Sequence, residues 1–136
     1  MLKNIKTVFS GFGKPGERVA QNNGIYTLEG EGIDIGCNIV LLDEMPSPSL
    51  LEFEVRGKID KKEDWSRLRV EIFDCANLTE PATSYEDDYL TVDLNSENFR
   101  HVSFPILGIV KKPHRIQFMV VGPSHSLLEI KNVCLR

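Results

Sequence analysis

Residues 50–74, LLEFEVRGKIDKKEDWSRLRVEIFD, constrain the fold more than any other part of the chain. Leu51, Phe53 and Val55 alternate with Glu52, Glu54 and Arg56; after a charged loop, Leu68, Val70 and Ile72 alternate with Arg69, Glu71 and Phe73. Successive side chains of a strand project to opposite sides of its sheet, so each segment has one apolar face and one largely wet face. Two such strands, joined by a loop too polar to bury, predict the middle of an antiparallel β-sandwich. They can pair as a hairpin or, as jelly rolls often arrange them, enter opposite sheets. In the second case the wet faces of Glu52, Glu54 and Arg56 and of Arg69 and Glu71 would not share one surface.

The rest of the chain carries the same signal in shorter pieces. Residues 5–9, 25–29, 33–42, 90–94, 101–104, 116–120 and 127–135 read as strands, and Gly36 marks a bulge or a close backbone approach. Residues 10–24 hold Gly11, Gly13, Pro15, Gly16 and Asn22-Asn23-Gly24 and read as loop, as do the polar residues 75–89. Gly122 to His125 is expected to close a hairpin onto the last strand. That strand shifts phase, with Leu128 and Ile130 inward and then Val133 and Leu135, which requires a bulge near Lys131 and Asn132. No 3.6-residue period persists, so the expectation is an all-β sandwich or barrel of about eight or nine strands.

Composition narrows the partners. A chain of 136 residues is one domain, and its net charge of −4 argues against nucleic acid, which needs a concentrated basic surface. Lys111, Lys112 and Arg115, interrupted by Pro113, read as a solvated turn. No apolar run approaches the ~20 residues that span a bilayer, so no membrane is expected. The N-terminal residues lack an export signal, and Cys37, Cys75 and Cys134 form no C-x-x-C pair; both suit reduced, buried thiols in a cytoplasmic protein. Gly11-Phe12-Gly13 lacks the strand, helix and lysine of a phosphate loop.

With the strands in order, the chain resembles the β-jelly-roll modules of the galactose-binding-like superfamily, which include many non-catalytic carbohydrate-binding modules. The resemblance rests on LEFEVRGK, SRLRVEIFD, FRHVSFPI, HRIQFMVVG and LLEIKNVCLR in succession. The domain of respiratory complex I intermediate-associated assembly factors shows a similar order. The resemblance implies a jelly-roll core over residues 24–136, preceded by a strand and loop over 1–23. It also implies a structural calcium between the sheets, held partly by the acid of an Ile-Asp-Asn-Val phrase. Here the phrase is Ile130-Lys131-Asn132-Val133, and an ammonium group cannot ligate a cation, so the expectation is no cofactor, with a structural calcium as the open alternative.

What the resemblance implies for function is ligand recognition, foremost of a carbohydrate. A sugar needs an aromatic plate under its apolar face and polar groups for its hydroxyls. The candidate ligand-binding residues are Trp65, Tyr85 and Tyr89 in or beside long loops, with Glu54, Arg56, Arg69 and Glu71 on wet strand faces. The alternative partner is a protein, in an intracellular interaction or assembly module, which the reduced thiols and the small aromatic set favour. Catalysis has no supporting constellation. Glu52 and Glu54 lie roughly 6–7 Å apart, but neighbours on one strand cannot flank a bond inside a cleft. His101, His114 and His125 are scattered, which argues against a metal site or a triad. Phe73 and Met119 point outward by alternation and mark a surface that a partner chain or a loop would cover.

Overall fold

The computed structural model describes residues 5–14, 18–31, 35–45, 47–59, 67–87, 97–122 and 125–136, and in it both alternating segments are strands that lie in opposite sheets. The described strands are β1 (Thr7–Phe12), β2 (Arg18–Asn22), β3 (Ile25–Glu31), β4 (Ile35–Leu41), β5 (Leu50–Ile59), β6 (Arg67–Asp74), β7 (Thr83–Asp87), β8 (Arg100–Pro105), β9 (Pro113–Val121) and β10 (His125–Leu135). They form a front sheet, ordered β1-β4-β9-β6-β7, and a back sheet, ordered β2-β3-β10-β5-β8, antiparallel at every pairing. Only β2–β3 and β6–β7 join consecutive described strands within a sheet. Every other connection between described strands crosses from sheet to sheet, which is the path of a jelly roll.

Alternation explains this arrangement. Leu51, Phe53 and Val55 of β5 and Leu68, Val70 and Ile72 of β6 are buried, as are Ile116, Phe118 and Val120 of β9 and Leu128 and Ile130 of β10. Strands with one apolar face bury it by stacking sheet on sheet, and the inward residues of the two sheets interdigitate. Three aromatic pairs bridge the sheets. In the centre Phe53 of β5 meets Phe118 of β9 edge to face, with ring centroids 5.3 Å apart and planes at 81°. At one open side Phe9 of β1 stacks on Tyr26 of β3 at 5.5 Å, and at the other Tyr85 of β7 packs on Phe104 of β8 at 5.2 Å.

Several sequence expectations need correction. Residues 10–24 are not loop throughout: β1 runs to Phe12, and β2 pairs with β3 through Asn23 and Gly24, at φ of 51° and 79°. Both central residues of a type I′ turn need positive φ, which asparagine tolerates and glycine adopts freely. Residues 75–89 likewise contain β7, so the described strands number ten rather than eight or nine. The hairpin expected at 122–125 does not form, because β9 lies between β4 and β6 while β10 lies between β3 and β5, and both edges of each strand are already paired. The strand expected over 90–94 lies outside the described residues. Cys75 is exposed rather than buried, on the turn after β6.

Other expectations hold. The register of β10 slips between Lys131 and Cys134, with Asn132 at a φ of 53°, and Val133 and Leu135 return to the interior. Gly36 is a site of close approach: a Cβ there would meet the Phe12 ring at 2.4 Å and the Phe118 carbonyl oxygen at 2.5 Å. Phe73 is covered, though by its own cross-strand neighbour Arg115 rather than by a loop or a partner chain, the guanidinium lying 3.8 Å from the ring centroid.

One carboxylate ties together the loops at the end of the sandwich where β6 stops. Asp74 accepts backbone hydrogen bonds from Ala76 at 3.0 Å, Lys111 at 2.8 Å and Lys112 at 3.1 Å. The bond from Ala76, with those from Lys111 and Lys112, holds the Asp74 carboxyl below its ordinary range. A depressed carboxyl adds stability above its unfolded-state value and loses it as pH falls through the folded one. Asp74→Asn should therefore cost about 1–2 kcal/mol at neutral pH. In urea titrations the gap to wild type should close as the pH drops below the ordinary carboxylate range; a gap independent of pH would refute the tie. In the core, Phe118→Ala should cost about 3–5 kcal/mol by the same measurement.

Candidate ligand-binding face

The expected ligand-binding residues do not form one surface. Arg69 and Glu71 project from β6 on the outer face of the front sheet, whereas Glu54 and Arg56 project from β5 on the outer face of the back sheet. The sandwich core lies between them. Tyr85 points inward, against Phe104 and the core, because β7 is an edge strand whose inner side closes the gap between the sheets. Trp65 and Tyr89 lie outside the described residues. The sheet assignment of β5 and β6, which alternation cannot fix, separates the remaining four.

On the back face, charged groups bond largely to one another. Arg56 donates from Nε to Glu129 at 3.0 Å and from a terminal nitrogen to the Glu97 carbonyl at 3.2 Å. Glu52 accepts from Arg136 at 2.8 Å and lies 3.3 Å from His101, while Asn132, turned by the bulge, donates to Glu54. Arg18 pairs with Glu29 at 3.1 Å. Arg56 and Lys131 also lie over the Phe99 ring, at 4.4 and 4.0 Å. A cleft of about 420 Å³ lies here, lined in part by Arg56, Lys58, Leu127 and Glu129. Its main acid and base are already bonded to each other.

The front face differs. Register places Phe12, Gly36, Met119, Arg69 and Glu86 in one row across β1, β4, β9, β6 and β7. The next row holds Ser10, Asn38, Gln117, Glu71 and Ser84, and the third brings Val8, Val40, Arg115 and Phe73 together. Neighbours within a row are ~4.8 Å apart and rows ~6.5–7 Å apart. Because Gly36 has no side chain, the partly exposed Phe12 ring lies over β4 beside Met119. A depression of about 330 Å³, lined by Gly11, Phe12, Gly13, Lys14 and Val19, continues past that edge.

The polar groups of this face are loosely held. Arg69–Glu71 at 3.7 Å and Arg67–Glu86 at 3.9 Å are too long for hydrogen bonds. The Asn38 side-chain oxygen and the Arg115 Nε are covered and have no hydrogen-bond partner. Gln117 donates to the Met119 sulfur, a weak acceptor, at 2.8 Å. Phe12 and Asn38 are absent from the residues picked out by sequence. Phe12 sits between two glycines and follows no alternation, so the available signal was Gly36, whose missing side chain makes room for the ring.

Calcium does not fit the place the resemblance gives it, since Lys131 occupies the acidic position and its ammonium rests on Phe99. Among the described residues no three His, Cys, Asp or Glu side chains gather as metal ligands.

No family model matches the sequence, and no curated protein matches it. Solved structures do. A mutant of a family 29 carbohydrate-binding module superposes with a TM-score of 0.60 at 10% identity, over 96% of this chain and 80% of that one. A second mutant, complexed with mannohexaose, gives 0.58 at 9% identity over 96% and 79%. The xylan-binding module CBM15 gives 0.55 at 8% over 93% and 96%. At these identities the likeness establishes the fold, an all-β sandwich of the kind carbohydrate-binding modules have.

Among the thiols, burial pushes Cys37 up to about 12, so it stays protonated at neutral pH and is no nucleophile. A disulfide reagent such as dithionitrobenzoate should label Cys75 quickly in the native protein and reach the buried Cys37 and Cys134 only after denaturation. Cys75→Ser should abolish the fast phase; its persistence would mean the interior is open.

Proposed function

We propose that the chain is a non-catalytic carbohydrate-binding module whose ligand lies across the outer face of the front sheet. The observation that carries this reading is the contrast between the two faces. The back face bonds most of its described charged groups to one another, while the front sets an aromatic ring beside a row of side chains with unmet or weakly met hydrogen-bonding groups. Buried or half-buried polar groups without partners are costly unless something supplies them, and sugar hydroxyls both donate and accept. Phe12, flanked by Met119, offers the apolar surface; Asn38, Gln117, Glu71 and Arg69 offer the polar contacts. The sandwich fold shared with carbohydrate-binding modules, one of them described in complex with mannohexaose, supports the same reading.

A protein-interaction role has one observation in its favour. Leu42, Leu78, Leu107 and Ile109 are 49–70% exposed, on loops that gather at the end of the sandwich where Asp74 ties the chain together. This surface is separate from the front-face row.

The test is a titration of an oligosaccharide panel, followed by calorimetry and Trp65 fluorescence. Saturable binding is expected, with Asn38→Ala and Gln117→Ala each weakening it about 2–10-fold, the size of a single hydrogen bond. Glu54→Ala, on the opposite face, should leave affinity unchanged. No binding by any saccharide would overturn the reading, and a loss equal to that of Gln117→Ala in Glu54→Ala would move the site to the back sheet.

A further inference from the structure

Resting on the carbohydrate reading of the front face, we infer that its preferred saccharides are acidic ones, bearing carboxylates of the uronic-acid type. In a chain of net charge −4, the described residues of this face carry three guanidinium groups, Arg67, Arg69 and Arg115, against the two carboxylates of Glu71 and Glu86. How these groups are held matters more than their number. Among the described residues Arg69, 41% exposed, lies 3.7 Å from Glu71, outside hydrogen-bonding range, and sits opposite Glu86 in the register of β6 and β7. Among the described residues Arg115 has no carboxylate partner. Its guanidinium is stacked on Phe73 at 3.8 Å, one terminal nitrogen donates to the Leu78 carbonyl at 3.3 Å, and its Nε is unmatched.

A planar guanidinium fixed by stacking is pre-organised for the bidentate, charge-assisted bonds that a carboxylate accepts. Neutral hydroxyls would leave most of that charge unanswered. The register adds a spacing: Arg69 lies opposite Met119 and Arg115 opposite Phe73, four residues along the same strand pair, or about 13 Å. Glu71 and Gln117 lie between them. The acid of Glu71 disfavours a ligand carboxylate in the middle of the row and favours hydroxyls there, so the anionic groups belong at the two ends. The back face lacks this property, because Arg56 is already hydrogen-bonded to Glu129.

Calorimetry with a hexamer of galacturonic acid, with neutral mannohexaose and with hexaglutamate separates the outcomes. The uronate oligomer should bind at least about tenfold more tightly than mannohexaose at low salt, and the advantage should shrink severalfold at ~0.5 M salt as the charges are screened. Arg69→Gln, on an exposed side chain where folding is not at stake, should reduce the ratio of acidic to neutral affinity severalfold. Arg56→Gln should leave that ratio as it is. Equal or tighter binding of mannohexaose would overturn the acidic preference and leave the carbohydrate reading standing. Hexaglutamate binding as well as the uronate would overturn the saccharide assignment in favour of a general polyanion surface. Absence of binding to the uronate oligomer while another saccharide of the panel binds would overturn the acidic preference alone, and absence of binding across the whole panel would overturn both readings.

Discussion

The edge-to-face contact of Phe53 and Phe118 is where the two sheets meet, and most of the architecture follows from bringing those rings together. Phe53 lies on β5 and Phe118 on β9, central strands of opposite sheets. For each ring to be inward, every second residue of its strand must also be inward. This fixes the apolar series Leu51, Phe53, Val55 and Ile116, Phe118, Val120 on facing sides of one interior. The Phe9–Tyr26 and Tyr85–Phe104 pairs repeat the device at the margins, where one edge strand alone would leave the interior open. A sandwich closed this way has two outer faces, and function must be sought on them or on the loops.

Those two faces are built from similar residues yet are electrostatically unlike. On the back sheet, cross-strand neighbours have complementary reach: Arg56 and Glu129 are directly opposed, and the bulge at Asn132 turns an amide toward Glu54. On the front sheet Arg69 of β6 has Glu71 beside it on the same strand, at a distance that allows attraction without hydrogen bonding. Exposed pairs of that kind contribute little to stability. Such groups are available to a ligand at small cost, which is the physical basis of the functional proposal and of the acidic preference that deepens it.

The individual strands were legible wherever alternation was strong, as in β5, β6, β8 and β9, and the phase shift in β10 announced its bulge. Elements lacking that signal were missed. β2 is short and mixed in character, and it is a strand because the Asn23-Gly24 turn folds it back on β3. β7 sits in a polar stretch and is held by β6. Of the candidate site, Arg69 and Glu71 were legible as wet-face residues, while Glu54 and Arg56 were equally plausible and belong to the other side of the molecule.

Local chemistry therefore determined that this chain makes amphipathic strands, where most of them begin and end, and which side of each meets the core, because a period of two residues is a property of the backbone itself. It could not determine which strands become neighbours. Pairing joins residues tens of positions apart, as Asn38 does with Gln117 and Arg69 with Met119, and it depends on which strand edges remain open once the sheets assemble. Only the tertiary structure decided that Phe12, Asn38, Gln117 and Glu71 share one surface and that Glu54 and Arg56 lie behind it.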